Sequence, residues 1–190
     1  IAFVPLEGLF VTIIIHQLLT RHEHSILLRK MNMLVGSFFS EVGNQLMAEM
    51  KRAHRISPEQ LEHLRIGKQW TEKDFDTALK TLRTIEHKSE ITPQNLEHFR
   101  QILQPKRQFL LMLLGNPNLL EHEPFTDLLW ATFHFLDELT RRDDLQELPR
   151  NDLDHLAGDA QRVYKRLLLE WIRYLKHLKQ DYPYLYSLEV

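Results

Sequence analysis

Between Leu153 and Leu178 apolar residues return every three or four positions, at Leu153, Leu156, Ala160, Val163, Leu167, Trp171, Leu175 and Leu178. That spacing is the period of an α-helix, and a strand cannot reproduce it. The stripe runs for about seven helical turns and is opposed by Arg162, Lys165, Arg166, Arg173 and Lys176. An apolar face of that length must be covered, so the chain has to supply further helices. Helical patterns recur upstream. Thr71-Glu72-Lys73-Asp74 opens a segment with Phe75, Leu79, Leu82 and Ile85 on its inner side. Pro105 starts an apolar helix through Leu110, Leu111, Leu113 and Leu114, stopped by the turn residues Gly115-Asn116-Pro117-Asn118. Leu128, Leu129, Phe133, Leu136 and Leu139 share a face between Phe125 and Arg142. The charged, proline-containing run 141–152 closes that helix, and Asn151 is the expected cap of the long one. Only six glycines occur, and alternating β-branched runs are missing, so the expected class is all-α.

Two helix starts resemble each other. Ser57-Pro58-Glu59-Gln60-Leu61-Glu62-His63-Leu64-Arg65 and Thr92-Pro93-Gln94-Asn95-Leu96-Glu97-His98-Phe99-Arg100 share the pattern [ST]-P-x-x-L-E-H-[LF]-R. The hydroxyl caps free amides, and proline suits the first helical position. Two copies with unlike segments between them read as two caps and not as a repeat array.

The first twenty residues, IAFVPLEGLFVTIIIHQLLT, carry one charge, Glu7. As a helix they would span ~30 Å, about one hydrocarbon thickness, and residues 1–20 are read as a membrane helix contacting lipid, with a buried or interfacial helix, or a targeting remnant, as the alternatives. Glu7, His16 and Gln17 are the polar groups that hydrocarbon would penalise there. Arg21, Arg29 and Lys30 follow closely, which by the positive-inside tendency places the C-terminal domain in the cytoplasm. The expected organisation is a membrane helix over 1–20, a juxtamembrane helix over 21–56 and a helical bundle domain over 57–190. The terminus Asp181-Tyr182-Pro183-Tyr184-Leu185-Tyr186-Ser187-Leu188 leaves the long helix at proline and is aromatic enough to dock.

No proline interrupts the chain between Pro5 and Pro58, so one helix can run out of the membrane into the body, with Gly36 and Gly43 as its weak or close-packing points. Leu28, Met31, Val35, Phe38 and Val42 form a seam over 28–42 that suits ordinary core or a protein partner, including self-association. The stretch Lys30-Met31-Asn32-Met33-Leu34-Val35-Gly36-Ser37-Phe38-Phe39-Ser40-Glu41-Val42-Gly43 resembles the juxtamembrane part of uncharacterised prokaryotic proteins in which membrane helices precede a helical cytoplasmic region. That resemblance implies membrane attachment upstream and carries no activity or site.

Chemistry-bearing motifs are scarce. Zero cysteines remove disulfides, thiol catalysis and thiolate metal sites. Eleven histidines include no H-x-x-x-H, H-x-x-H or E-x-x-H, the spacings that set two ligands on one helical face. His22 and His24 flank Glu23 but point apart on a helix. His134 with Asp137 and Glu138, and His155 with Asp159, read as surface pairs. The carboxylates Asp143, Asp144, Asp152 and Asp154 fall in a charged loop and a first helical turn, where acids complement the helix dipole. Phosphate-cradling glycine motifs are absent, and a formal charge of −2 offers no field for a polyanion, which argues against nucleic acid. No catalytic residue, metal ligand or cofactor is therefore assigned. The expected role is a membrane-tethered helical interaction or sensor module, and the alternative is an enzyme or cofactor-binding bundle whose site is assembled from distant helices.

Overall fold

A computed structural model describes residues 11–17, 19, 30–53, 66–84 and 90–190. No strand occurs among them. After the helical residues 11–17, helix α1 covers residues 30–38 and passes without a break through a wider π-helical turn, Phe39–Gly43, into α2, Asn44–Ala53. Then come α3 (Glu72–Thr84), α4 (Pro93–Leu103), α5 (Arg107–Leu114), α6 (Glu123–Thr140), α7 (Arg150–Asp181) and α8 (Pro183–Glu189), with short 3₁₀ turns before α5 and α6.

The expected caps are partly realised. Thr92 Oγ1 accepts from the Asn95 N–H at 3.3 Å, and Asn95 Oδ1 accepts from the Thr92 N–H at 3.0 Å, closing a capping box at the start of α4. The matching start at Ser57 lies outside the described residues. At Thr71 the reverse half forms, with Asp74 Oδ2 accepting from the Thr71 N–H at 2.6 Å. Asn151 does not cap α7: the helix begins one residue earlier, Pro149 holds the cap position with no side-chain bond, and Asn151 lies in the first turn. Pro105 does not start α5 directly but sits in the 3₁₀ turn Gln104–Lys106, where its missing N–H costs nothing. On α6 the inward aromatics are Phe125 and Phe135, both fully buried, whereas Phe133 is half-buried under the Arg107 guanidinium, 5.2 Å from the ring centre.

Two apolar clusters share α7 as their spine. The larger joins Met31, Val35, Phe38, Val42 and Leu46 to Phe99 on α4, Phe125 and Phe135 on α6 and the N-terminal half of α7. The seam expected over 28–42 is thus taken up by this chain's own core at each position described. The π turn lets two neighbouring aromatics, Phe38 and Phe39, both face inward; Phe38 meets Phe125 edge-on at 5.5 Å and Phe39 stacks on Tyr174 at 5.6 Å. The smaller cluster packs Phe75, Ala78 and Leu82 of α3 against Ile172, Leu175 and Leu178 and receives Tyr186 from α8. The C-terminal segment therefore docks as expected, as a further short helix.

The region read as a membrane helix is described only in part. Residues 11–17 are helical, and Val11, Ile13, Ile14, Ile15 and Leu19 are about half exposed, at 47–55%. Glu7, His22 and His24 lie outside the described residues, while His16 and Gln17 are exposed. Among the described residues no helix is long and apolar enough to cross a membrane.

Candidate functional site

Helix α7 carries a second stripe, a polar one. His155, Asp159, Arg162, Arg166, Glu170, Arg173, His177 and Asp181 step by three or four and so line one side of the helix. Its two inner acids, Asp159 and Glu170, are each only 2% exposed. Each takes an arginine one turn later, Arg162 and Arg173, in a close ion pair. The interval from the first pair to the second is eleven residues, which at ~100° per residue returns to within about 20° of the same face. The α7 cations read from sequence as an outer face paired in part with Glu170 include Arg173 on that acid, and Arg162, its side chain 59% exposed, serves the buried Asp159 as well. Others are held by neighbouring elements, Lys165 by the Arg83 carbonyl at 2.8 Å and Lys176 by Asp76 at 2.8 Å.

Asp159 lies where α6 crosses α7. Its Oδ1 is held by Arg162, while Oδ2 accepts no hydrogen bond. Two imidazoles face that oxygen, His155 Nε2 at 3.4 Å and His134 Nε2 of α6 at 3.8 Å. The expected His155–Asp159 pair is present. His134 instead turns across to Asp159, leaving Asp137 to Arg141 and Glu138 to Arg142. The Arg142 hydrogen bond holds the Glu138 carboxyl below its usual pKa against a smaller opposing effect of burial. Beside Asp159 lies a cavity of about 370 Å³ lined in part by Trp130, which is 59% exposed.

Glu170 sits further along, at the joint of two cavities of about 420 and 570 Å³. The first lies between the N-terminal turn of α6 and Arg162, Lys165 and Arg166. The second is walled by Asn32 and Val35 of α1, by His122 and by the α7 residues Tyr174, His177 and Asp181. Burial pushes the Glu170 carboxyl pKa up, and Arg173 and His122 offset part of that shift. His122 Nδ1 accepts the Phe125 N–H at 3.2 Å, which leaves Nε2 to carry the ring proton. His177 Nδ1 lies 2.8 Å from Asp181, its buried Nε2 has no partner, and burial pushes its pKa down against the pull of Asp181. The result is a wall of proton donors and acceptors assembled from three separate helical elements.

The remaining acids have structural roles. Asp144 accepts the Gln146 N–H at 2.6 Å, and Asp152 and Asp154 face Arg142 and Arg150 at 3.8 and 3.9 Å. Among the described residues no group of three or more His, Asp or Glu is set to hold a metal ion. The polar stripe was missed by sequence reasoning, although its signal was visible: an acid with arginine three residues on, repeated eleven residues later within an amphipathic helix.

Residues 27–190 match the family described as the C-terminal helical domain of uncharacterized protein MJ1433. Uncharacterized protein MJ1433 of Methanocaldococcus jannaschii is 44% identical over 188 residues, covering 99% of this chain and 75% of that relative. No solved structure matches the chain.

Proposed function

We propose, for a chain that belongs to the family of the C-terminal helical domain of uncharacterized protein MJ1433, the role of a membrane-tethered helical module that works by contact, with its body on the cytoplasmic side. The observation that carries this reading is the half-exposure of five large apolar side chains close in sequence, Val11, Ile13, Ile14, Ile15 and Leu19, where the following apolar stripe over 31–50 is buried. Fully burying one such side chain is worth about 1.5–3 kcal/mol, so five of them on one short helix strongly favour a non-aqueous surface. The basic residues that follow, Arg21, Arg29 and Lys30, support the cytoplasmic orientation. Liposome flotation of the chain with and without residues 1–20 is the test. The full chain should float and the shortened one should stay below; equal partitioning of the two forms refutes the tether.

A second reading, a small-molecule site on the same module, is favoured by Glu170, a buried acid at the joint of two cavities. Such a site would act as the sensing element, and its first requirement is that Glu170 responds to its surroundings. Because the folded pKa is raised, the native state binds more protons than the unfolded state between the ordinary glutamate value and the folded one. Stability therefore falls as pH rises through that window and stays lower above it. His177 works the other way: its folded pKa is lowered, so its contribution is present above the unfolded histidine value and lost as pH falls through the folded one. Urea unfolding across pH 4 to 8 of the native chain and of Glu170→Gln reads the first effect, since about 4.3 is the ordinary glutamate value. The variant should gain relative stability on the alkaline side and converge with the native chain in acid. Parallel pH profiles would remove Glu170 as a proton-linked group.

A further inference from the structure

We infer that α8 lies flat against the headgroup region of the membrane, with Tyr184, Leu185 and Leu188 together with Met33 of α1 as its contact face; this rests on the tethering reading above. Of the large apolar residues exposed among those described, all but Leu111, Met112 and Trp130 fall in two short segments, 11–33 and 182–188. The fold brings Met33 and the second segment together. Met33, Tyr182 and Leu185 line one shallow cavity of about 360 Å³, which sets the start of α8 beside α1 close to where the described chain resumes at Lys30. Met33 and the bare side of α8 therefore lie at the same end of the body as Lys30.

Helix α8 itself is apolar on two opposite sides. Inward, Tyr186 is buried, donates its hydroxyl to the Gly67 carbonyl at 2.8 Å and lies under the Lys179 ammonium at 5.1 Å from the ring centre. Outward, Tyr184, Leu185 and Leu188 fall within about 100° of one another on the helical wheel. They are 75%, 45% and 66% exposed. A helix held rigidly by one apolar side while the other stays bare is built to be covered from outside. Glu189 is the one charged residue in this helix, so attraction to acidic lipid is not what would hold it. Tyrosine suits the occupant, because its ring prefers the apolar side of the membrane boundary and its hydroxyl the wet side.

A lipid surface fits better than a second copy of the chain. A stable protein interface recruits about 20–30 residues a side and about 800 Å² per partner, and four side chains fall far short. A body already tethered needs only a weak further contact, because the tether raises the effective concentration of the surface beside it.

The chain has no cysteine, so single labels are clean. The full chain carrying Leu188→Cys with a nitroxide label is bound to neutral phosphatidylcholine vesicles, and collisions with oxygen and with an aqueous nickel chelate are compared. Asp143→Cys is the reference, since Asp143 precedes the far end of α7, a helix of 32 residues and about 48 Å. The label at 188 should lose nickel collisions several-fold and gain oxygen collisions on vesicles, with no change at 143 and no dependence on salt. Tyr184→Cys should behave alike, which guards against disturbance of α8 by one label. If the protein floats and both positions keep aqueous exposure, this face is wrong and the tether stands. If the protein does not float, the tether and the face fall together. Shielding of position 188 that is already complete without lipid assigns the face to another protein copy and overturns the proposal.

Discussion

Residues 11–19 and residues 31–50 are both rich in large apolar side chains, yet the fold treats them oppositely. In the second segment Met31, Val35, Phe38, Val42, Leu46 and Met50 step by three or four, and each is at most 3% exposed. In the first, Ile13, Ile14 and Ile15 are consecutive, point around the helix and stay bare. A one-sided stripe can be covered by one neighbouring surface, which α4, α6 and α7 supply. Residues 11–17 also carry Thr12, His16 and Gln17, and their apolar side chains stay about half exposed where those of the second segment are buried. Apolar content alone does not separate the two fates; whether a neighbouring surface covers the apolar face does.

The largest expected effect separates the two segments by stability. Phe38 is fully buried, with Phe39 and Phe125 both edge-on at 5.5 Å. Phe38→Ala should cost about 3–5 kcal/mol, the usual loss for a core aromatic, as read from urea midpoints at unchanged slope. A loss below about 1 kcal/mol would mean that the 31–50 stripe is not core, since surface substitutions stay within ~0.5 kcal/mol. Next comes packing at the π turn. A Cβ on Gly43 would meet Phe39 Cδ1 at 2.5 Å and Phe38 Cε1 at 3.1 Å, whereas one on Gly158 of α7 meets nothing within 4 Å. Gly43→Ala should therefore cost about 1–3 kcal/mol through overpacking. Gly158→Ala should instead stabilise by about 0.5–1 kcal/mol, because alanine loses less backbone freedom in a helix. Both follow from thermal or urea unfolding, and equal signs would show that the aromatic wall around Gly43 can give way.

The same distinction explains what the sequence made legible. The α7 stripe, the Thr92 cap and the inward face of α1 follow from local periodicity and local hydrogen bonding, and all three are present. Gly36 and Gly43 were also readable as close-packing points, and Tyr174 and the phenylalanines fill that role. Less legible was which polar residues go inside. Asp159 and Glu170 sit at helix positions where i,i+3 arginines are equally at home on a solvated surface. Their burial is decided by α6 and α1 arriving from elsewhere in the chain, a tertiary event that spacing does not encode. His134 shows the same limit: sequence pairs it with its own helix, while the crossing of α6 over α7 gives it Asp159. The shift from Phe133 to Phe135 on α6 is likewise set by where its neighbours sit. Asn151 lost the cap because Pro149 already fixes the backbone in an extended conformation that starts the helix, with φ −54° and ψ 148°.

The smallest expected effect on stability is the most informative about the first segment. Replacing Ile13, Ile14 and Ile15 together by serine touches side chains that are about half exposed. If the body owes nothing to them, the urea midpoint should move by less than about 0.5 kcal/mol, as for surface positions. Flotation on neutral vesicles should nevertheless collapse, because each isoleucine withdrawn from an apolar phase forfeits about 1.5–3 kcal/mol of transfer energy. Phe38→Ala, if enough of it stays folded, should leave flotation intact. Stability and membrane binding would then be carried by different segments and lost independently. A triple variant that unfolds the body would instead place residues 13–15 within its packing, and the contrast between a covered stripe and a bare helix would disappear.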